Sequence, residues 1–282
     1  MEISLTMICC WATMGVWILF VTEVLMHTSY EKLRADLENI GVRPGDVLVV
    51  HSSLKSMGHV EGGADTVIDA VLEAVGPEGT FASSYSTSFF SNKETPSCVG
   101  AISEAFRKME GVIRTNHPTH SASLRGKLMY EMTEGELLDD TPMGTHSPFR
   151  RLPYVGAKIL MLGCPFATNS YMHALEEEAG MEYALRGHQT YTVIDENGKE
   201  YTRQVRRHNF GRPEGNLYQK YDRALELLDA GDYKIATVHG ARSVLIDSVA
   251  LKEKSLKKLK EDSMFFVDDP NGLYPNGCSS AL

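Results

Sequence analysis

The 282 residues hold one large α/β domain or two small ones, and 43% hydrophobic with 23% charged content is that of a globular protein with a substantial core. A formal charge of −9 argues against general nucleic-acid binding and suits a polycationic small partner. Cys9, Cys10, Cys98, Cys164 and Cys278 are odd in number and include no pair with a zinc- or thioredoxin-type two-residue spacer, which points away from a disulfide framework and toward a reducing compartment, the cytoplasm. No P-loop, HExxH or GxGxxG motif occurs.

Residues 3–26, ISLTMICCWATMGVWILFVTEVLM, are apolar over a length that could span a bilayer. The preceding residues carry Glu2 and no Lys or Arg, and no small-residue cleavage site follows, so a secretory signal fits poorly. An N-terminal anchor and translated sequence upstream of a start at Met26 are the competing readings. The second is preferred because a complete domain pattern begins just after Met26. The expected organisation is an extension over 1–27, one domain over 28–270 and a tail over 271–282, with a membrane role only if residues 3–26 are a true anchor.

From Ser29, Leu33, Leu37 and Ile40 share one helical face, and Gly41 stands where a helix would close. The turn Arg43-Pro44-Gly45-Asp46 leads to Val47-Leu48-Val49-Val50, a run suited to a buried strand. A Ser- and Gly-rich loop from His51 precedes a helix through Val67, Val71 and Val75, closed at Gly76-Pro77-Glu78-Gly79. Residues 80–100 read as loop, and a short helix is expected from Ile102 to Met109. Lys158–Leu162 reads as a second buried strand ending at Gly163, with a helix from Asn169 or Ser170 to Ala179. Residues 189–206 read as a hairpin turning at Glu196-Asn197-Gly198-Lys199, and helices are expected at 217–230 and 243–261.

Three segments could carry chemistry. His173 lies three and four residues before Glu176 and Glu177, so on a helix either carboxylate shares its face and could accept an imidazole N–H. Such a partner fixes the tautomer and raises the basicity of the other ring nitrogen, as a general base requires; a solvated His beside an acidic run is the plain alternative. His117 and His120 sit in RTNHPTHSAS, a Pro-containing loop without a third metal ligand nearby, where Arg114, Thr119 and Ser121 add donors for phosphate or amide groups. The loop His51-Ser52-Ser53-Leu54-Lys55-Ser56 follows a strand's carboxyl end, where open α/β sheets place ligands. Ser52 or Ser53 as a nucleophile would lack the Gly-x-Ser-x-Gly elbow.

Taken together, VRPGDVLVVHSSLKSMGHVEGGADTVIDAVLEAVGPEGT, GAISEAFRKMEGVIRTNHPTHS, LLDDTPMGTHSP and GAKILMLGCPFATNSYMHALEE resemble the aminoglycoside 3-N-acetyltransferase (antibiotic N-acetyltransferase) family over about residues 28–180. The resemblance implies a single α/β domain, a central sheet flanked by helices, distinct from the common N-acetyltransferase fold. It implies acetyl transfer from acetyl-CoA to an amine without a metal, with His173 as general base oriented by Glu176. It maps Ser52, Ser53, Thr119, His120 and Ser121 to the coenzyme site, to which Arg114 is added as a donor. Glu177 and Asp222 are expected to bind the acceptor, a small-molecule amine, and a homodimer is left open.

The chain departs from the family pattern at FASSYSTSFF, where a short apolar strand and a Pro-Thr segment are usual, and at Asn169-Ser170, where Asn-Thr is usual. Residues 180–235, with RRHNFGRPEG, match least and shape the acceptor pocket, so His208 and Asp222 are open positions there. Two other readings stand beside the leading one: a serine hydrolase or thioesterase using Ser52 or Ser53, and a membrane-tethered binding protein.

Overall fold

The computed structural model describes residues 29–84, 90–91, 94–208, 211–212 and 215–277. The apolar segment 3–26 lies outside the described residues; among these, no helix is long and apolar enough to cross a membrane. The first helix, α1, covers residues 29–40 and buries Leu33, Leu37 and Ile40 as their spacing requires. It is followed by β1 (Val47–Ser52), α2 (Gly63–Val75), β2 (Thr80–Ser84), α3 (Ala101–Lys108), β3 (Ile113–Arg114) and β4 (Ala122–Gly126). The second half holds β5 (Lys158–Leu162), α4 (Tyr171–Glu178), β6 (His188–Ile194), β7 (Glu200–Arg206), β8 (Tyr233–Val238), β9 (Ala241–Asp247) and α5 (Ser248–Glu261).

Seven strands form a mixed central sheet in the order β8-β9-β5-β1-β2-β4-β3. At its centre β1 runs parallel to both β2 and β5, and the outer pairs are antiparallel. Strands so enclosed lose solvent on both faces, which is why β1 and β5 read as unbroken apolar runs. Alternate residues divide between two cores: Leu48, Val50, Leu160 and Leu162 pack with residues of α1 and α2, while Val49, Ile159 and Met161 pack with residues of α4 and α5. Helices thus flank a single sheet on both faces, as expected. The strands β6 and β7 form the expected hairpin, to which Phe90–Ser91 adds in parallel.

Three expectations are corrected. Residues 80–84, read as loop, are the strand β2 beside β1. The sequence TFASS offers no apolar run, because Thr80 and Ser83 are buried polar residues, and the Ser83 hydroxyl is satisfied by that of Ser103 at 2.8 Å. The expected helix 217–230 is instead a 3-10 stretch at Tyr221–Glu226. Of the buried Leu217, Tyr221, Ala224 and Leu228, only Tyr221 and Ala224 fall within this stretch, and their three-residue separation suits the tighter coil. The expected helix 243–261 begins five residues later, because Val244-Leu245-Ile246 are buried in β9 and Asp247 caps α5 by accepting from the N–H groups of Val249 and Ala250.

Closure of the sheet beyond β2 depends on one glycine. Gly126 has φ of +136°, and a Cβ there would lie 2.2 Å from the Gly79 carbonyl oxygen and 2.6 Å from Thr80 Cα. Both clashing atoms are backbone, so relief means parting β4 from β2. The variant Gly126→Ala is expected to lose more than about 1 kcal/mol of stability in denaturant unfolding. An unchanged midpoint would contradict this reading of the β2–β4 contact.

Candidate active site

The loop from β5 to α4 lies at the carboxyl end of a central parallel strand, next to the end of β1 and the Ser-rich loop that follows it. Ser53 N–H donates to the Leu162 carbonyl at 2.9 Å, so the two loops are joined. Asn169, fully buried, starts α4 by accepting the N–H of Tyr171 at 3.1 Å. Along α4, Tyr171, Met172, Ala174 and Leu175 are buried in the core, and His173 and Glu176 share the neighbouring face.

The direct contact between His173 Nδ1 and Glu176 Oε2 is long, 3.5 Å. Tyr221, from the 3-10 stretch, bridges them: its hydroxyl is 2.8 Å from His173 Nδ1 and donates to Glu176 Oε2 at 2.7 Å. Tyr183 donates to Glu176 Oε1 at 3.1 Å, and Gln219 Nε2 donates to the Tyr221 hydroxyl at 3.0 Å. Burial, then the facing Glu176 carboxylate, pushes the Tyr221 phenol well above its ordinary value, so it stays protonated. With its proton committed to Glu176, the Tyr221 oxygen accepts the Nδ1–H of His173. That tautomer puts the ring's lone pair on Nε2, where it can take a proton. Tyr221 carried no signal in the sequence, since it stands in a segment that reads as an amphipathic helix.

Two more imidazoles crowd His173. His208, just after β7, stacks on it with ring centroids 4.2 Å apart, and His120 approaches edge-on at 5.7 Å. Burial and the neighbouring imidazoles hold His120 and His208 well below the ordinary histidine range, so both rings are neutral at pH 7. His117 is spent on the loop itself. Its Nδ1 accepts from the N–H groups of Thr119 (3.3 Å) and His120 (3.1 Å), and burial lowers its pKa to about 3. The loop is tied to the hairpin by a buried ion pair: Arg203 donates to Glu136 at 3.1 Å and to the Asn116 carbonyl at 3.1 Å.

The remaining residues singled out in the sequence divide between the site and its supports. Ser52 and Ser53 are half-buried at the end of β1, and the Ser53 hydroxyl pairs with that of Ser56 at 2.9 Å rather than with an imidazole. Thr119 sits against His120, its Oγ1 3.0 Å from Nδ1. Arg114 and Ser121 bind each other (3.1 Å), and Arg114 also donates to the Thr95 carbonyl at 2.7 Å. A cavity of about 1170 Å³ opens beside them, lined by Arg107, Lys108, Arg114 and Asn116 among others. Glu177 is buried: its Oε1 accepts the Met143 N–H at 3.0 Å and lies 2.7 Å from His208 Nε2. Asp222 is exposed on the turn after Tyr221.

The chain belongs to the aminoglycoside 3-N-acetyltransferase family, whose sequence profile matches residues 49–260. It is 32% identical over 173 residues to aminoglycoside N(3)-acetyltransferase VIII of Streptomyces fradiae, covering 52% of this chain and 60% of that one. It is 33% identical over 178 residues to aminoglycoside N(3)-acetyltransferase III of a Salmonella species, covering 55% and 62%. The alignments thus span about three fifths of the length of these curated relatives. Its fold is that of AAC-IIIb, solved as a binary complex with CoASH, at a TM-score of 0.72 and 24% identity over 82% of this chain and 96% of that one.

Glu177 gives the site a pH signature. Burial raises its pKa from 4.5 to about 7. The folded chain therefore holds a proton that the unfolded chain releases, and this contribution to stability is lost as pH rises from about 4.5 to about 7. In Glu177→Gln the loss is absent, so the stability of the variant relative to the parent is expected to increase from pH 5 to pH 8 in thermal unfolding. A difference that is flat with pH would contradict the assignment of that proton.

Proposed function

We propose that the protein is an acetyl-CoA-dependent N-acetyltransferase acting on the 3-amino group of a 2-deoxystreptamine aminoglycoside, with His173 as general base. The carrying observation is the chain Glu176–Tyr221–His173, which engages Nδ1 of the ring and leaves the lone pair on Nε2, in a member of this family. The names of its curated relatives and the CoASH in the AAC-IIIb complex support the choice of acceptor and donor.

In this reading Nε2 of His173 takes a proton from the acceptor amine as its nitrogen attacks the thioester carbonyl carbon. The carbon–sulfur bond then breaks, coenzyme A leaves, and the positive charge gained by the imidazole is balanced through Tyr221 by Glu176. Ser52, Ser53, Thr119 and His120 are the residues expected to meet the coenzyme. Arg114 and Ser121, bound to each other, hold the loop that presents Thr119 and His120. A single catalytic domain over 28–270 and a cytoplasmic location belong to the same reading.

One observation favours a second acceptor class. Glu176 is committed to two tyrosines, Glu177 to the Met143 N–H and His208, and Glu178 to Arg150 (3.0 Å) and Lys252 (2.7 Å). All three carboxylates of α4 are thus engaged within the protein, and Asp222 becomes the expected acceptor contact. An amine with fewer positive charges fits the same centre.

Thiol release from acetyl-CoA would be followed with kanamycin, gentamicin, neomycin, a simple monoamine and no acceptor. Release that requires an aminoglycoside is expected, with His173→Ala slower by roughly 10²–10⁴-fold. Tyr221→Phe, which keeps the ring and removes the bridge, is expected to lose kcat by a smaller factor with KM little changed. Release without acceptor would contradict the proposal and indicate a thioesterase, and release with the monoamine alone would move the acceptor to the second class.

A further inference from the structure

His120, His173 and His208 come from three separate parts of the chain, and one ring nitrogen from each lies within 4.8 Å of the others. We propose that these three imidazoles form a site for a divalent transition-metal ion, Zn2+ first, and that the bound ion switches off His173 by taking up its lone pair. The site shares His173 and His120 with the proposed acetyl-transfer centre, whose chemistry uses no metal in the reading above, so the inference rests on that reading for its effect on activity.

The donor set is the right one. Imidazole is a usual ligand of Zn2+ and of the other divalent transition metals. Three protein ligands with a fourth position left for water or substrate are the usual arrangement of an open zinc site.

The surroundings are those of ligands as well. In metal sites a ligating histidine almost always has its other nitrogen engaged by an oxygen, which fixes the ring's orientation. Here His173 Nδ1 meets the Tyr221 hydroxyl at 2.8 Å, and His120 Nδ1 meets Thr119 Oγ1 at 3.0 Å. His208 lacks such a bond: its Nε2 lies 2.7 Å from Glu177 Oε1 without hydrogen-bond alignment, though Glu177 would bring negative charge beside the ion. His208 is also under-used within the protein. Although its side chain is only 5% exposed, neither ring nitrogen makes an aligned hydrogen bond. A buried polar group left this way is costly, and a metal bond at Nδ1 would remove the cost at that atom.

Geometry sets what must move. A tetrahedral ion with Zn–N distances of about 2.0–2.1 Å holds its nitrogens roughly 3.3 Å apart, so the present cluster must contract by up to about 1.5 Å. The stacked rings of His173 and His208 reach this by rotating about their side-chain bonds. His117 stays outside the set, because its Nδ1 is held by two backbone N–H groups.

The test uses the full chain, stripped with a chelator and titrated with Co2+ as a spectroscopic stand-in for Zn2+. One Co2+ per chain with the intense visible absorption of a four-coordinate site is expected, displaced stoichiometrically by Zn2+. His120→Asn and His208→Asn are each expected to weaken binding by more than roughly tenfold, the loss that follows removal of even an outer partner of a metal ligand. Thr119→Val, which keeps all three imidazoles, is expected to retain the absorption at reduced affinity. Only weak, six-coordinate absorption, or uptake that survives in both histidine variants, would overturn the proposal. None of these readings depends on acetyl transfer, so the metal site and the proposed activity can fail separately. Where the activity is present, Zn2+ at one equivalent is expected to abolish it and chelator to restore it.

Discussion

Burial of the Glu176 carboxylate is the constraint around which the site is arranged. A carboxylate with no exposed surface is tolerated only if donors replace the water it has lost. Tyr183 supplies one and Tyr221 the other, and each comes from a segment that must be folded back over α4 to do so. The chain after β7 is therefore held against the helix by the requirement of one buried charge. Satisfying Glu176 also fixes the Tyr221 proton, and that proton fixes the orientation of the His173 ring. Removing the carboxylate would take from Tyr183 and Tyr221 the acceptor they share, so its role in packing and its role in setting the imidazole cannot be separated.

A buried charge pair performs the same service for the opposite wall. Arg203 on β7 reaches Glu136 and the carbonyls of Asn116 and Asp139, joining the hairpin to the His117–His120 loop. Breaking such a pair leaves an unpaired charge in a dry environment, which costs about 3–5 kcal/mol. The loop it secures needs that support because much of it is polar and buried: Thr115, His117, Thr119 and Ser121 are all at most 9% exposed. His120 is delivered to His173 by this scaffold rather than by any regular element. The three imidazoles thus meet where α4, the loop and the end of β7 converge, with the buried Glu176 carboxylate behind one wall and the Arg203–Glu136 pair behind another.

Much of this was legible in the chain. The strands Val47–Ser52 and Lys158–Leu162 announce themselves as apolar runs because both of their faces are covered, and the hairpin announces itself through Asn197-Gly198. The i, i+3 spacing of His173 and Glu176 gives their shared face correctly. What spacing could not give is the oxygen between them. Tyr221 arrives from 45 residues beyond Glu176, in a stretch whose periodicity fits an α-helix that does not form. The strand Thr80–Ser84 was hidden for a related reason, its buried hydroxyls being satisfied by tertiary partners that no local pattern reveals. The family resemblance singled out His173 and Glu176 but left residues 180–235 open, and that is where Tyr183, His208 and Tyr221 reside.

The central claim is that Tyr221 sets the His173 tautomer, and the most direct measurement is the ¹⁵N chemical shift of the His173 side-chain nitrogens in the intact chain at neutral pH, assigned by loss of the signals in His173→Asn. A protonated Nδ1 and an unprotonated Nε2 are expected, with the proton redistributed toward Nε2 in Tyr221→Phe. An Nε2–H ring in the parent protein, or a tautomer unaffected by Tyr221→Phe, would contradict the role assigned to the bridge.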